Sequence, residues 1–368
     1  MKIALIRKNY TPYGGAENYL NLVSNRLLAQ GHEVHIFSAD HQDKSSFQTH
    51  RVKAIRKPSL LSNISFALNA RALLKKHSFN CILSFERTLY QDIYRAGDGC
   101  HREWLTRRRI IEPFLKKLSF NLNPHHLMLL YLEKQCFLGS KAVIANSMMV
   151  KKDIIKHYAV PAEKIYIIYN GVDVQRFRPI GKKQKDLIRN SLDIKNNKVI
   201  LFAGADFKRK GLCTLLKAFS LLDMKDLKLI VAGKPAETQY LSMVKKLGIG
   251  KNVIFMGAVK EIEKLYSVAD VFVLPTVYDP FSNATLEAMA SGIPAITTRH
   301  NGASELIENG VEGFVVDNPL EAGVFAGKIS EALNRTEDMG KNARAKAEGF
   351  SIDKAINEII DVISRHSQ

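Results

Sequence analysis

The chain has 368 residues, 46% hydrophobic and 24% charged, which suits two ordinary globular cores and excludes a low-complexity chain. Its net charge of +18 is lopsided: residues 1–180 hold 28 Lys and Arg against 13 Asp and Glu, whereas residues 181–368 hold 26 against 23. A one-sided positive field points the N-terminal half at an anionic partner, which means nucleic acid, an anionic membrane face or a phosphorylated acceptor.

The first apolar run, residues 3–6, stops at Arg7 and Lys8. It is too short for a signal-peptide core, and no later run approaches the ~18–20 residues needed to cross a bilayer. The expected location is the cytosol. Cys81, Cys100, Cys136 and Cys213 show no C-x-x-C pair and read as reduced structural thiols.

In chain order, residues 2–7 predict a strand, followed by a loop with Pro12, Gly14 and Gly15. A helix then carries Tyr19, Leu20, Val23 and Leu27 on one face and stops at Gly31. Strands are predicted at 33–38, 81–85, 142–145 and 165–169, alternating with helical stretches, among them a core helix over 127–137. Asn170-Gly171, Pro179 and the lysines at 182, 183 and 185 read as a linker over 170–198. The alternation restarts with strands at 199–203, 227–232, 253–256, 271–274 and 295–298, and helices at 212–222, 238–247 and 284–291. Strand and helix alternating twice over predicts an α/β protein of two Rossmann-like doubly wound domains, 1–175 and 176–368. Ligands in such sheets sit at the carboxyl ends of the strands.

Four places put polar or glycine residues just after a predicted strand. Tyr13-Gly14-Gly15-Ala16-Glu17 opens a helix, where close-approaching backbone and free N–H groups suit a phosphate, although a plain βα turn would look alike. It is not G-x-G-x-x-G, which argues against a dinucleotide cofactor. Gly204-Ala205-Asp206-Phe207-Lys208-Arg209-Lys210-Gly211 flanks a basic triplet with glycines and suits a diphosphate; the plainer alternative is a solvated charge run. Residues 278–290 place Asp279 before a helix and Glu287 within it, with Phe281, Ser282, Asn283, Ala284 and Thr285 between. Two such carboxylates accept hydrogen bonds from sugar and ribose hydroxyls, while the intervening N–H groups suit phosphate. Alone, Asp279 would only complement the helix dipole. The fourth place is Arg95-Ala96-Gly97-Asp98-Gly99-Cys100-His101.

The order G-G-A-E, N-G-V-D with R-F-x-P, glycine-flanked R-K, and an acidic pair ahead of L-E-A-M-A-x-G-x-P resembles family 4 glycosyltransferases over essentially the whole chain. The resemblance implies a two-domain B-type fold, with the final helix, about 350–366, packing back on the N-terminal domain. It also implies a retaining transfer from a nucleotide sugar in the cleft between the domains, with no metal and no other cofactor. Glu287 would bind the ribose, Asp279 the donor sugar hydroxyls, and Arg209 and Lys210 the diphosphate. Most members have glutamate where Asp279 stands. Gly14 and Gly15 would close over the distal phosphate with Glu17 nearby, and backbone around Gly257 would meet the base. Asp98 resembles the polar residue beside the donor sugar, an aspartate in lipopolysaccharide-core transferases and a histidine in many relatives; His101 is the alternative match. The leaving phosphate would itself help deprotonate the acceptor in a front-side attack.

Residues 102–120 hold six basic and two acidic residues, with Arg102, Arg107, Arg108, Arg109, Lys116 and Lys117 interspersed among Trp104, Ile110, Ile111, Phe114 and Leu118. Pro113 breaks any helix there. This composition fits docking on anionic lipid or on acceptor phosphates, against the plainer reading of a surface helix. The expected partners are a nucleotide sugar (UDP-glucose first), a lipid-linked or lipopolysaccharide-core acceptor, and the inner face of the cytoplasmic membrane, with no nucleic acid. The rivals are a transferase of capsule, O-antigen or another glycan, a sugar-nucleotide epimerase, a basic nucleic-acid binder and an NAD-dependent oxidoreductase. The last two lack their motifs.

Overall fold

The computed structural model describes residues 1–9, 15–40, 47–113, 120, 122–194, 196–222, 225–234 and 238–367, with backbone alone at 15–18. The chain divides into two compact units, Met1–Tyr169 with Asp353–Gln368, and Asn170–Ile352. Residues 170–175, expected in the first domain, fall in the second. Val172 N–H donates to Phe350 O at 2.9 Å, and Ile352 N–H donates to Val172 O at 3.2 Å.

The first unit is a parallel sheet in the order β3-β2-β1-β4-β5-β6-β7. Its strands are β1 Lys2–Ile6, β2 Glu33–Ser38, β3 Gln48–Arg51, β4 Cys81–Ser84, β5 Ile93–Ala96, β6 Ala142–Ala145 and β7 Ile165–Ile167. Helices α1 Gly15–Ala29, α2 Ser59–Leu74, α3 His101–Arg108, α4 Pro124–Gly139 and α5 Met148–Tyr158 lie along the connections. Ile3 stands opposite both Val34 and Cys81, so β1 is central and buried on both faces, which its near-continuous apolar sequence requires. Sequence patterning missed β3 and β5. Strand β3 is a polar edge strand, Gln-Thr-His-Arg, with no apolar alternation to read. In β5 the buried Arg95 interrupts the run, its guanidinium 4.5 Å from the Tyr19 ring centroid.

The second unit has strand order β10-β9-β8-β11-β12-β13. These are β8 Lys198–Gly204, β9 Leu227–Gly233, β10 Val253–Gly257, β11 Val271–Leu274, β12 Ala295–Thr298 and β13 Gly313–Val316. The helices are α6 Lys182–Ser191, α7 Leu212–Ser220, α8 Thr238–Lys246, α9 Ile262–Val268, α10 Asn283–Ala290, α11 Ala322–Leu333 and α12 Thr336–Glu348. Helix α6 lies inside the stretch expected to be a linker. It is polar on most sides and is fastened by Arg189, whose Nη1 donates to Val268 O at 2.7 Å. The strand order reverses between β8 and β11. Such a reversal of strand order is the place where open parallel sheets take ligands.

The final helix, α13 Ile352–His366, buries Ala355, Ile356, Ile359, Ile360, Val362 and Ile363. Arg26 pairs with Asp353, and the Tyr166 hydroxyl lies 3.2 Å from His366 Nε2, so the last residues join the first unit. Each buried aliphatic side chain of that stripe contributes roughly 1.5–3 kcal/mol relative to exposure.

Candidate donor site at the switch point of the second unit

The loop after β8 turns sharply back into α7, and Gly211 makes the turn with φ +80°. A Cβ there would stand 1.9 Å from Pro275 O in the loop after β11, so glycine lets the two loops touch. Their contact is hydrogen-bonded throughout. Val277 N–H and Thr276 Oγ1 both donate to Arg209 O, at 2.9 and 3.1 Å, and Arg209 Nη1 donates to Tyr278 O at 2.8 Å. Lys210 lies across Gly204, where a Cβ would come within 2.5 Å of the lysine Cδ.

These turns deliver two cations to one carboxylate. Lys210 Nζ is 2.8 Å and Arg209 Nη1 3.5 Å from Asp279 Oδ2. Burial alone would push the Asp279 carboxyl up. The Lys210 ammonium, the Arg209 guanidinium and hydrogen bonds from Lys210 and the Phe281 backbone outweigh it and hold the carboxyl below its ordinary value. Asp279 is thus the counter-ion of both diphosphate candidates.

Helix α10 starts four residues later, at Asn283. Ser282 caps it by accepting from Thr285 N–H at 3.3 Å. The first amides, those of Asn283 and Ala284, have no acceptor within the helix and carry the positive end of its dipole. Asn301, fully buried, fixes this end in space. Its Oδ1 accepts from Ser282 N–H and Ala303 N–H at 3.0 and 3.1 Å, and its Nδ2 donates to Thr285 Oγ1 and Thr297 Oγ1, both at 3.0 Å. Asn283 Oδ1 accepts from Asn170 at 2.8 Å. The other end is clamped by Arg344, whose Nη1 donates to Ala290 O at 2.6 Å and Phe177 O at 2.8 Å. Sequence reasoning missed Thr276, Asn301 and Arg344; the Asn301-Gly302 turn just after β12 was the available signal.

Glu287, partly exposed on α10, accepts from the Tyr266 hydroxyl at 3.0 Å. Burial pushes its carboxyl above the ordinary value, against that hydrogen bond and the charges of Arg176 and Lys210. Phe281 is buried, and Gly257 ends β10 with φ +63° and open space where a Cβ would stand. The second unit therefore brings Arg209, Lys210, Asp279 and residues 281–287 together at the carboxyl ends of β8 and β11. The counter-charges and free amides there suit a diphosphate, and the Glu287 carboxylate suits hydroxyl groups.

The first unit holds the remaining candidates. Gly14, Lys116 and Lys117 lie outside the described residues, and Gly15 and Glu17 are described only as backbone at the start of α1. Asp98, just beyond β5, is 57% exposed and 3.7 Å from Arg87 Nη1. His101 begins α3; its Nε2 is 3.2 Å from His126 Nδ1, and burial, helped by Arg87, pushes it down to about 3. Asp98 is the more open of the two.

The basic segment is less available than its composition suggests. Arg107 Nε donates to the buried Glu103 at 2.7 Å, and Arg108 Nε to the buried Glu112 at 3.0 Å. The Arg108 guanidinium also stacks 4.9 Å from the Phe120 ring, and Trp104 is half-buried. Arg102 and Arg109 remain exposed. No helix among the described residues is long and apolar enough to cross a membrane.

Two family models match consecutive parts of the chain. "Glycosyltransferase Family 4" matches residues 13–176, and "Glycosyl transferases group 1" matches residues 184–346. The chain is 26% identical to an uncharacterized glycosyltransferase of Methanocaldococcus jannaschii, covering 98% of this chain and 97% of that one. It is 22% identical to the lipopolysaccharide glucosyltransferase WaaG of Escherichia coli, covering 99% of each. A crystal structure of WaaG superposes with a TM-score of 0.84 over 98% of this chain and 99% of that one, at 22% identity. Anabaena HepE, solved in complex with UDP-glucose, gives a TM-score of 0.76 at 20% identity over 99% of this chain and 100% of that one. With both halves matched in order and the two-sheet architecture shared, the chain belongs to the family 4 glycosyltransferases of the B-type fold.

Proposed function

We propose that this glycosyltransferase moves a hexosyl group, with retention of configuration, from a UDP-linked donor (UDP-glucose first) to a lipid-linked, phosphate-bearing glycan of the lipopolysaccharide-core kind. The observation that carries the donor half is the meeting of Lys210 and Arg209 on Asp279 beside the open amides of α10. Cleaving the anomeric bond places new negative charge on the departing diphosphate. Fixed cations and helix amides in a partly desolvated crevice stabilise that charge more than they stabilise the bound donor, which is what acceleration requires. Arg209 and Lys210 carry this role without a metal, Glu287 holds the ribose, and Asp98 stands beside the transferred sugar. The leaving phosphate accepts the acceptor's proton. The UDP and UDP-glucose complexes of HepE support the choice of donor, and WaaG supports the acceptor class.

Docking at an anionic bilayer fits the N-terminal charge excess. Exposed Arg102 and Arg109 lie in the same part of the chain as large apolar side chains left open: Ile110 at 44% exposure, Leu122 at 79% and Leu127 at 51%.

The test is a donor screen by thermal shift, followed by transfer to truncated lipopolysaccharide core with chelator present. UDP-glucose should raise the melting temperature and support transfer without added metal, and Glu287→Ala should abolish the shift. Stabilisation by no UDP-sugar, or an unchanged shift in Glu287→Ala, overturns the donor assignment. Transfer only to a capsule or O-antigen fragment overturns the acceptor assignment.

A further inference from the structure

Arg176 and Phe177, the R-F of the R-F-x-P stretch, both meet helix α9. Arg176 Nη2 donates to Glu263 Oε2 at 2.8 Å. Phe177 is buried and packs edge-on to the Tyr266 ring, with centroids 5.7 Å apart. Tyr266 is fully buried, and the Phe272 ring of β11 lies 6.0 Å from it. The Arg344 Nη1 that clamps Ala290 O at the end of α10 also donates to Val174 O at 3.1 Å and to Phe177 O at 2.8 Å. The stretch around Phe177 and helix α10 thus share one anchor.

With its ring held between Phe177 and Phe272, Tyr266 delivers its hydroxyl to Glu287 Oε2 at 3.0 Å. Among the described residues, no other group hydrogen-bonds this carboxylate. An ionised carboxylate offers two oxygens and about four lone-pair sites, so one hydroxyl leaves room for two more donors. A glutamate side chain is flexible. Ordering it before the ligand arrives removes part of the entropy that binding would otherwise cost. The titratable and charged groups facing Glu287 are Tyr266 and Glu263 on α9, Arg176 from the stretch ahead of α6, and Lys210 from the loop after β8.

We propose that Tyr266 is the positioning residue of the ribose-binding carboxylate: its hydroxyl fixes Glu287 Oε2, so that the remaining lone pairs meet the ribose hydroxyls of the donor. This role rests on the reading of Glu287 as the ribose ligand. It gives a buried tyrosine that touches no substrate a part in nucleotide recognition. Burial raises the Glu287 carboxyl, and the Tyr266 hydrogen bond works against that rise. Removing the hydroxyl therefore favours the protonated acid, which has fewer acceptor sites for the ribose. On acidification, UDP affinity should then be lost at a higher pH.

The experiment is calorimetric titration of the full chain with UDP and with its 2′,3′-dideoxy analogue, from about pH 5 to pH 8. It is run on the unmodified protein, on Tyr266→Phe and on Phe177→Leu. UDP should bind the unmodified chain more tightly than the analogue does. Tyr266→Phe should narrow that preference about three- to tenfold, leave the affinity for the analogue unchanged, and move the acid limb of UDP binding to higher pH. Phe177→Leu keeps the hydroxyl but loosens the ring, and should act in the same direction by less. Two results overturn the proposal: equal weakening of UDP and the analogue in Tyr266→Phe, as a purely structural role would give, or a preference and acid limb that stay where they were. No preference for UDP over the analogue in the unmodified chain would instead remove Glu287 as the ribose ligand, and the tyrosine's role with it, so the two failures are separable.

Discussion

Two buried or nearly buried carboxylates stand beside helix amino ends in this chain, and they do opposite things. Glu133, fully buried on α4, accepts from the backbone N–H groups of His101 and Arg102 at 2.6 and 3.2 Å, from the Tyr158 hydroxyl at 2.6 Å, and from Arg87 Nη2 at 3.2 Å. The start of α3 already has its anion, supplied by the protein. Asp279 gathers Arg209 and Lys210 but leaves the first amides of α10 to others. The same components make a closed structural knot in one unit and, in the other, a cluster whose helix end has no internal carboxylate, the candidate site for an incoming anion. What separates them is whether an internal carboxylate satisfies the helix end.

Removing the closing carboxylate should have the largest effect. Glu133→Ala leaves Arg87, two helix amides and Tyr158 short of a buried acceptor and should cost about 3–5 kcal/mol of stability, read from the urea midpoint. Glu133→Gln, which keeps the shape, should cost less. Surviving folded protein should bind UDP normally; lost UDP affinity in a stable Glu133→Gln would break the contrast. On the open side the expectation reverses. Lys210→Ala should lower kcat roughly 10²–10³-fold with a much smaller change in urea midpoint, since the lysine is asked to meet charge that develops during reaction.

The smallest effect is one of pH. The Asp279 carboxyl is held below its ordinary value by its two cations, so its contribution to stability is complete above that ordinary value, about 4, and is lost as pH falls through the depressed folded value. Unfolding curves at pH 7 and pH 3 should show a shallower acid loss for Asp279→Asn than for the unmodified chain. Equal acid loss in both would mean the pair is not formed in solution.

Sequence reasoning singled out the residues of the candidate site and missed the closed knot, for physical reasons. Arg209, Lys210, Asp279 and Glu287 sit in loops and helix starts after continuous apolar strands, residues 199–203 and 271–274, where any polar cluster stands out. Glu133 is one acid inside the apolar helix Pro124–Gly139, and its partners come from three other segments that only the fold brings together. Likewise, nothing in sequence set Asn301 apart from an Asn-Gly turn, and its four hydrogen bonds appear only once β12 lies beside α10. The paired arginines at 107 and 108 make the same point in reverse: composition counted their charge, and burial of Glu103 and Glu112 consumed it. Most strands of continuous apolar character were legible, although β13 was not among them; the polar edge β3 has no apolar alternation to read, and the lysines of helix α6 read as a solvated linker.

The measurement that tests the central claim most directly is a crystal structure of the chain soaked with UDP-glucose. The diphosphate should lie within hydrogen-bond distance of Lys210 Nζ, Arg209 and the Asn283 and Ala284 amides, with the ribose on Glu287. A nucleotide bound elsewhere in the second unit, or one that left the amides of α10 unoccupied, would contradict it.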